Sequence, residues 1–385
     1  MTRTADSLLL TGNHAVSWGV KLARPDVAPL YPITPQTPIL EKITEFKSQG
    51  ELDTELLTPE SEHSAMAACI SASLTGARVF TATSSQGLLL MHELLHYASG
   101  ARSSIVMFNV NRTPASPWGF WPDQLDSLAQ RDTGWIQLYS ESPQESLDTV
   151  IQAFRIAEEL ALPTMISHDA FYVSHSMEPV ALPSQALVDE FLPRLESQHR
   201  LDTELGQSFG APIDQATWNR SRREMDEAMT QVSEVVTRSC EAWAELTGRA
   251  YAPLEHYRCV DAEVVIVTMG SMSGTVREAV DLMRDQGLAV GLLKVRLFRP
   301  LPVEALRQAL DEVPCALVLD RNYSPGMGGI LHQELKAALF GMTRPPKLHG
   351  LLAGVGGVNV SVARIQRLVA DCRDAEPSAN SQWVE

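Results

Sequence analysis

The chain has 385 residues, of which 44% are hydrophobic and 20% charged, with a formal net charge of -16. This length exceeds one comfortable core, so two domains, or two plus a connecting element, are expected. The acidity and the lack of a basic run exclude a nucleic-acid partner, because neutralising phosphates requires clustered Lys and Arg. No apolar run reaches the roughly 18 residues of a membrane helix, and residues 1–16 lack a secretory apolar core. We therefore expect a cytoplasmic protein that does not span a membrane.

Five cysteines are scattered along the chain: Cys69, Cys240, Cys259, Cys315 and Cys372. None lies in a C-x-x-C motif, so local ligands cannot build an iron-sulfur cluster or a zinc site. We expect each to be a small buried hydrophobic residue, and no metal ligands are predicted in this chain.

Residues 1–180 alternate helical and strand-like segments, which is typical of a parallel sheet with helices on both faces. The predicted helices are 12–23, 58–76, 85–100 and 142–160, and the predicted extended segments are 25–33, 78–84, 104–110 and 163–169. In the second helix, Thr58 is predicted as the N-cap, Pro59 as the first helical residue and Gly76 as the stop.

The pattern changes between residues 181 and 260. Residues 180–199 are predicted as loop, and residues 219–246 as a long charged helix with apolar positions at helical spacing, a connector between domains. A second α/β pattern then follows, with predicted strands at 262–271, 289–297 and 315–320 and predicted helices at 275–287 and 303–313. The proline break at 298–302 separates strand from helix.

Two glycine-containing turns are weak candidates for ligand binding. Residues 269–274 (MGSMSG) join a strand to a helix, but Gly270 and Gly274 do not follow G-x-G-x-x-G, which favours a tight turn over a phosphate site. Residues 84–87 (SSQG) lie where a strand ends and a helix begins, the edge at which open α/β sheets bind ligands, or they are only a helix start.

Three side chains are predicted at this edge. Thr34 follows the extended segment 25–33 in a stiff, proline-rich turn, and Arg112 ends an apolar strand, where a guanidinium suits a carboxylate. Glu62 lies near the start of a helix beside Glu60, and two nearby carboxylates can raise one pKa. Each also has an ordinary interpretation, namely a turn threonine, a glutamate favoured by the helix dipole, and a surface arginine.

Several stretches, taken together, match one known family. They are YPITPQTPILE (31–41), SEHSAMAACISASLTGARVFTATSSQGLLLMHE (61–93), NR (111–112), RDTGWIQLY (131–139), SHSMEPV (174–180), GSMSGTVREAVD (270–281) and KVRLFRPLP (294–302). They resemble the alpha subunit of the 2-oxoacid:ferredoxin oxidoreductases, the pyruvate synthase family. The resemblance implies two α/β domains: a pyrimidine-binding-type domain at 1–180 and a transketolase C-terminal-like domain at 261–385, joined by the connector at 181–260.

The resemblance also implies roles for the three candidates. Thr34 and Arg112 would hold the carboxylate of a 2-oxoacid, and Glu62 would be catalytic, bonded to N1′ of the aminopyrimidine of thiamine diphosphate. A carboxyl there favours the imino tautomer, whose 4′-nitrogen can accept the thiazolium C2 proton. The implied reaction is reversible, CoA-linked oxidative decarboxylation of a 2-oxoacid, with pyruvate favoured, to acyl-CoA and CO2.

The chain lacks the G-D-G motif that holds the diphosphate and Mg2+ in thiamine enzymes. The family resemblance therefore implies a cofactor site shared with a beta subunit, within a complex that also has gamma and delta subunits. Electrons would leave through [4Fe-4S] clusters in those partner subunits to ferredoxin or a related acceptor. The isolated chain is expected to be inactive.

One departure from the family pattern concerns the substrate. Family members often have D-H-x-D after the arginine, whereas this chain has WPDQLD, with Gln124 in place of the histidine and Trp118 and Trp121 just before it. By analogy these residues lie near the substrate, so a branched-chain or aryl 2-oxoacid competes with pyruvate. The sequence also leaves open a scaffold subunit without activity and a transketolase-like or acetolactate-type thiamine enzyme.

Overall fold

The computed structural model describes residues 7–195 and 199–384, so the predictions for residues 1–6 and 196–198 lie outside the described residues. Its strands form three sheets. The strands are β1 Ser7–Thr11, β2 Val27–Pro29, β3 Glu55–Leu57, β4 Val79–Thr83, β5 Ile105–Asn111, β6 Ile136–Tyr139, β7 Thr164–Asp169, β8 Met177–Ala181, β9 Leu254–Tyr257, β10 Val264–Thr268, β11 Val290–Val295, β12 Leu297–Arg299, β13 Cys315–Asp320, β14 Lys347–Leu352 and β15 Gln382–Trp383. The helices are α1 Gly12–Ala23, α2 Thr37–Ser48, α3 Glu62–Ser73, α4 Ser85–Leu90, α5 His92–Gly100, α6 Leu125–Leu128, α7 Pro143–Leu160, α8 Gln185–Phe191, α9 Gln215–Thr247, α10 Met272–Asp285, α11 Val303–Leu310, α12 Ile330–Leu339 and α13 Val362–Arg373.

The first large sheet has seven strands in the order β12-β6-β7-β5-β4-β2-β3. All its neighbouring pairs are parallel except β12 with β6. Helices α1, α2 and α7 cover one face with an apolar core, and α3 and α5 cover the other. The chain runs from β2 to β3 and then returns to the other side of β2 to form β4. The strand order therefore reverses between β2 and β4, the kind of place where open α/β sheets form a ligand crevice.

The second large sheet has six strands in the order β15-β14-β13-β10-β11-β9, with only β9 antiparallel to its neighbour. Helices α10 and α13 pack on one face, and α11 and α12 on the other. Two sheets, each with helices on both faces, confirm the predicted α/β fold class. A small antiparallel pair, β1 with β8, forms the third sheet.

Residues 289–297, predicted as one strand, divide between the two large sheets. Strand β11 ends at Val295 in the second sheet, and β12 pairs with β6 in the first. Three charged side chains are buried around this crossing: Lys294 Nζ lies 2.8 Å from Glu145 Oε2, and Arg296 Nε lies 3.0 Å from Glu145 Oε1. Burial alone would raise the pKa of Glu145, but the two cations lower it below its ordinary value. Since Glu145 belongs to α7, this cluster joins the two α/β units.

Three local predictions are corrected. Helix α3 begins at Glu62 with Ser61 as its N-cap, so Thr58 and Pro59 are not helical. The Ser61 hydroxyl accepts from the Ser64 N–H at 3.2 Å, which satisfies one of the free donors at the helix start. Helix α8, capped by Ser184, lies within the segment predicted as loop. The predicted helix 85–100 is two helices, α4 and α5, separated at Met91.

Helix α9 is the predicted long connecting helix and has 33 residues. Its buried side chains lie between Ala228 and Trp243 at helical spacing, and most of them pack against the end of α7 and against β6. Gly248, with φ of 74°, ends the helix in the left-handed conformation that favours glycine. Within the described ranges, no helix is both long and apolar enough to cross a membrane.

The cluster around Glu145 predicts a large difference between two lysines. Lys294→Met removes the buried cation that contacts Glu145 and Glu255 and leaves Arg296 as the remaining cation on Glu145, so the free energy of unfolding should fall by up to about 3–5 kcal/mol. The matched control is Lys347→Met, whose ion pair with Glu376 is solvent-exposed and should contribute below about 1 kcal/mol. Urea unfolding of both variants measures the difference, and equal losses would contradict a structural role for the buried cluster.

Candidate active site

The candidate site lies at the carboxyl ends of four neighbouring strands of the seven-stranded sheet. In spatial order these strands are β5, β4, β2 and β3, and they are followed along the chain by Arg112, Gln86, Thr34 and Glu62 respectively. The reversal of strand order between β2 and β4 lies in the middle of this group. The three predicted residues therefore lie around the crevice expected for a ligand of an open α/β sheet.

Thr34 and Arg112 are brought into direct contact. Arg112 Nη1 donates to the backbone carbonyl of Thr34 at 2.6 Å, so the contact uses the threonine carbonyl rather than its hydroxyl. Thr34 is exposed, whereas Arg112 is only 3% exposed and is not the surface arginine of the ordinary interpretation. Burial lowers the pKa of Arg112, and the neighbouring Asp126 opposes that shift. The guanidinium remains a permanent cation next to the turn.

Two aromatic side chains stack on the Arg112 guanidinium. Its Cζ lies 5.2 Å from the ring centre of Phe120 and 5.9 Å from that of Trp118, distances at which cation–π attraction operates. Trp118 is 71% exposed and Phe120 is 47% exposed. The loop that carries them is closed by a hydrogen bond from the Thr113 N–H to the Trp121 carbonyl at 3.0 Å. An apolar surface therefore borders the cationic group.

Glu62 is the first residue of α3 and is 7% exposed. Its carboxylate lies against Gly87: a Cβ added to that glycine would meet Glu62 Oε1 at 2.6 Å and Thr83 Oγ1 at 2.5 Å. Only glycine leaves room for the carboxylate there. Glu60, by contrast, is solvent-exposed and bonds to the Ser64 hydroxyl, which lowers its pKa. The expected upward shift from paired carboxylates is therefore wrong for Glu60.

A buried carboxylate that the sequence reasoning missed holds these loops together. Asp126 Oδ2 accepts from the N–H of Ser85 at 2.9 Å, the N–H of Arg112 at 3.2 Å and the amide of Asn109 at 3.1 Å. Burial raises the pKa of Asp126 to about 6 and that of nearby Asp123 to about 7. The signal in the sequence was WPDQLD, with two acidic residues three positions apart.

Gln124 belongs to the contact between the two α/β units, and its expected place near the substrate stays a prediction. It is 1% exposed; its amide nitrogen donates to the Met269 carbonyl at 3.4 Å, and its oxygen accepts from Asn322 at 3.2 Å. The presence of Gln124 in place of the family histidine therefore affects how the second α/β unit packs against the first.

The turn at residues 269–274 also lies at the contact between the two α/β units. The N–H and hydroxyl of Ser271 both donate to Asp169 Oδ2, at 2.9 and 2.5 Å, and Arg321 Nη1 lies 3.2 Å from the same oxygen. Since a protein carboxylate already occupies the donors of this turn, the tight-turn interpretation is confirmed. Among the described residues, no group of three or more His, Cys, Asp or Glu is placed to hold a metal ion.

Solved structures with the same fold define the class. A 2-oxoglutarate:ferredoxin oxidoreductase from Magnetococcus marinus, solved with 2-oxoglutarate, coenzyme A and succinyl-CoA, matches 95% of this chain with a TM-score of 0.76 at 21% identity. This chain spans 65% of the length of that one. A split-gene transketolase matches 93% of this chain with a TM-score of 0.55 at 11% identity. The chain therefore shares its fold with these two proteins.

Sequence comparison gives the family. Residues 18–240 match the pyruvate flavodoxin/ferredoxin oxidoreductase family, thiamine diphosphate-binding, and residues 262–365 match pyruvate:ferredoxin oxidoreductase core domain II. Pyruvate synthase subunit PorA of Methanothermobacter thermautotrophicus is 44% identical over 98% of this chain and 97% of its own length. Ketoisovalerate oxidoreductase subunit VorA of Pyrococcus horikoshii is 46% identical over 95% of this chain and 93% of its own length. The chain belongs to this family, as an alpha-type subunit of the 2-oxoacid:ferredoxin oxidoreductases.

The raised pKa of Asp123 predicts a pH-dependent stability. Its folded-state pKa of about 7 lies above the ordinary 3.8, so its contribution is full below pH 4 and is lost as the pH rises through 7. Asp123→Asn should stabilise the fold by up to about 4 kcal/mol at pH 8 and much less at pH 4.5, since each tenfold change in proton affinity is worth about 1.4 kcal/mol. Denaturation at both pH values, with the exposed Asp53→Asn as control, measures this; a pH-independent effect would contradict it.

Proposed function

We propose that this chain is the alpha subunit of a thiamine diphosphate-dependent, CoA-linked 2-oxoacid:ferredoxin oxidoreductase. The complex oxidatively decarboxylates a 2-oxoacid, with pyruvate favoured, to acyl-CoA and CO2, reversibly. The observation that carries the proposal is the position of Glu62, Thr34 and Arg112 at the ends of neighbouring strands around the reversal of strand order. A scaffold role would not require a buried arginine at that edge whose Nε has no hydrogen-bond partner among the described residues.

The residues at this edge fit the aminopyrimidine end of thiamine diphosphate. The Glu62 carboxylate lies against Gly87, in a space that a Cβ would fill. It is close to the buried Thr83 hydroxyl, which has no hydrogen-bond partner in the described part of the chain. We assign Glu62 to N1′ of the aminopyrimidine, where it exchanges a proton with that ring nitrogen. When bound, thiamine diphosphate supplies the carbanion chemistry that cleaves the bond between the carboxylate and carbonyl carbons of a 2-oxoacid.

Arg112 and the turn at Thr34 form the proposed binding site for the carboxylate of the 2-oxoacid. The Thr34 carbonyl holds one terminal nitrogen of the guanidinium, which orients the remaining N–H groups for a bidentate contact. Trp118 and Phe120 on the same guanidinium support the second candidate, a branched-chain or aryl 2-oxoacid, because they place apolar surface beside the carboxylate site. The ketoisovalerate relative is consistent with that candidate.

The rest of the proposed complex comes from partner chains. A beta subunit would supply the G-D-G motif for the diphosphate and Mg2+. Gamma and delta subunits would complete the complex. The [4Fe-4S] clusters would belong to these partners and pass electrons to ferredoxin or a related acceptor. The proposed compartment is the cytoplasm, where the five free cysteines would stay reduced.

For the chain itself we propose domains at 1–180 and 261–385 with a connector at 181–260. The start of the second family match at residue 262 supports the second boundary.

A carboxylate-to-amide change tests the role of Glu62. In the assembled complex, Glu62→Gln should slow exchange of the thiazolium C2 proton by about 10²- to 10⁴-fold, because an amide cannot exchange a proton with N1′. Exchange is followed by NMR after transfer into deuterium oxide. Glu60→Gln is the matched control, since Glu60 is exposed two residues away and should leave the exchange rate unchanged. Exchange at the wild-type rate in Glu62→Gln would overturn this assignment.

The activity and the shared site are tested by reconstitution. The chain is expressed alone and with its beta, gamma and delta partners, and both preparations are assayed with coenzyme A, a low-potential dye and a panel of 2-oxoacids. We expect CoA-dependent dye reduction only by the complex, with the highest kcat/KM for pyruvate. A higher value for ketoisovalerate or an aryl 2-oxoacid would select the second candidate. Turnover by the lone chain, or none by the complex, would contradict the proposal.

A further inference from the structure

Gln86 connects Arg112 to the start of α4. Its Oε1 accepts a hydrogen bond from Arg112 Nη2 and lies 2.7 Å from the Ser85 hydroxyl oxygen. A guanidinium can only donate hydrogen bonds, so the atom of Gln86 that faces it must be the oxygen. The amide nitrogen is bonded to the same carbon as that oxygen. It therefore points away from the guanidinium but stays within one amide group of it.

Two hydrogen-bond donors at this contact have no partner. Gln86 Nε2 and Arg112 Nε are both buried, and neither has a hydrogen bond within the part of the chain that the structure describes. A buried polar group left without a partner costs about 1–3 kcal/mol, and more when it is charged. Such a cost at two donors of side chains that contact each other, one of them cationic, is the arrangement expected where an anionic ligand supplies the missing acceptors.

The backbone that positions Gln86 is also unusual. Ser85 has a φ of 49°, in the left-handed region that a serine seldom adopts, and it is held there by its N–H bond to Asp126 and by its hydroxyl bond to the Thr113 carbonyl. Strain of this kind persists only where the surrounding contacts enforce it. The direction of the Gln86 side chain is therefore set by tertiary contacts. Some hold the backbone at Ser85, and another joins Gln86 Oε1 to Arg112.

We infer that Gln86 binds the substrate directly: its Nε2 donates to the carboxylate of the 2-oxoacid, next to the Nε edge of Arg112. This inference rests on the proposed function and adds a residue to its substrate site. The Oε1 bond to Arg112 orients the amide, and the Nε2 group supplies a neutral donor beside the cation. A neutral donor strengthens binding of the carboxylate without adding a second charge that would have to be desolvated.

Gln86→Met tests the inference in the assembled complex, since methionine has a similar volume but cannot donate a hydrogen bond. Loss of a hydrogen bond to a charged group should raise KM for pyruvate about 10-fold or more, with kcat changed much less. Competitive inhibition by propanoate, a carboxylate without the oxo group, should weaken by a similar factor. The calorimetric affinity for thiamine diphosphate should stay at the wild-type value, whereas the melting temperature should fall because the substitution leaves Arg112 Nη2 without its Gln86 acceptor. Gln308→Met, an exposed position on α11, is the matched control.

A double-mutant cycle separates direct binding from an effect through the arginine. If Gln86 only orients Arg112, its substitution should have no further effect on KM in an Arg112→Lys background. If Gln86 donates to the substrate, Gln86→Met should still raise KM there about 10-fold. An unchanged KM in the single variant, an unchanged inhibition constant for propanoate, or loss of the effect in the lysine background would each overturn the inference. A wild-type complex inactive on every 2-oxoacid would instead be a failure of the proposed function.

Discussion

One buried carboxylate joins the loops that carry the candidate site. Asp126 accepts hydrogen bonds from Ser85 and Arg112, which follow β4 and β5, and from Asn109 within β5. Burial opposes its ionisation and raises its pKa to about 6, and these donors offset part of that cost. Because it fixes the two loops relative to each other, Gln86 and Arg112 meet in a defined geometry. The side chains that would contact a substrate are thus placed by a residue that has no need to touch it.

The second α/β unit contacts the loops at the carboxyl edge of the seven-stranded sheet. Gln124 bonds to the loops at Met269 and Asn322, and Gly357 lies so close to Trp121 that an added Cβ would be 2.6 Å from the tryptophan Cβ. The buried cluster around Glu145 and the pairing of β12 with β6 hold the two units together farther along the sheet. The aromatic loop beside Arg112 therefore contacts the second unit at Trp121, and the position of that end of the loop depends on how the units dock.

Much of the site could be anticipated because its residues follow strands. Parallel strands bring their carboxyl ends to one edge, so Thr34 and Arg112 could be placed there before the strand order was known. The contact between Thr34 and Arg112 could not be predicted, because it requires β4 and then β2 to follow β5 in the strand order of the sheet. It also uses a backbone carbonyl, which carries no sequence signal. Gln86 was visible only as part of SSQG, a pattern that also fits an ordinary helix start. That Gln86 Nε2 and Arg112 Nε have no hydrogen-bond partner among the described residues becomes apparent only once burial is known.

By itself the sequence determined the local elements and the class of fold, since helical and strand periodicity, caps and prolines act over a few residues. It also determined which parts of a thiamine enzyme this chain lacks, because motifs such as G-D-G and C-x-x-C are contiguous. Only the tertiary structure decided that residues 290–299 divide between two sheets, that Gln124 belongs to the contact between them, and that Glu62 lies against Gly87. Each of these depends on burial and on contacts between residues distant in the chain, which a linear pattern does not encode.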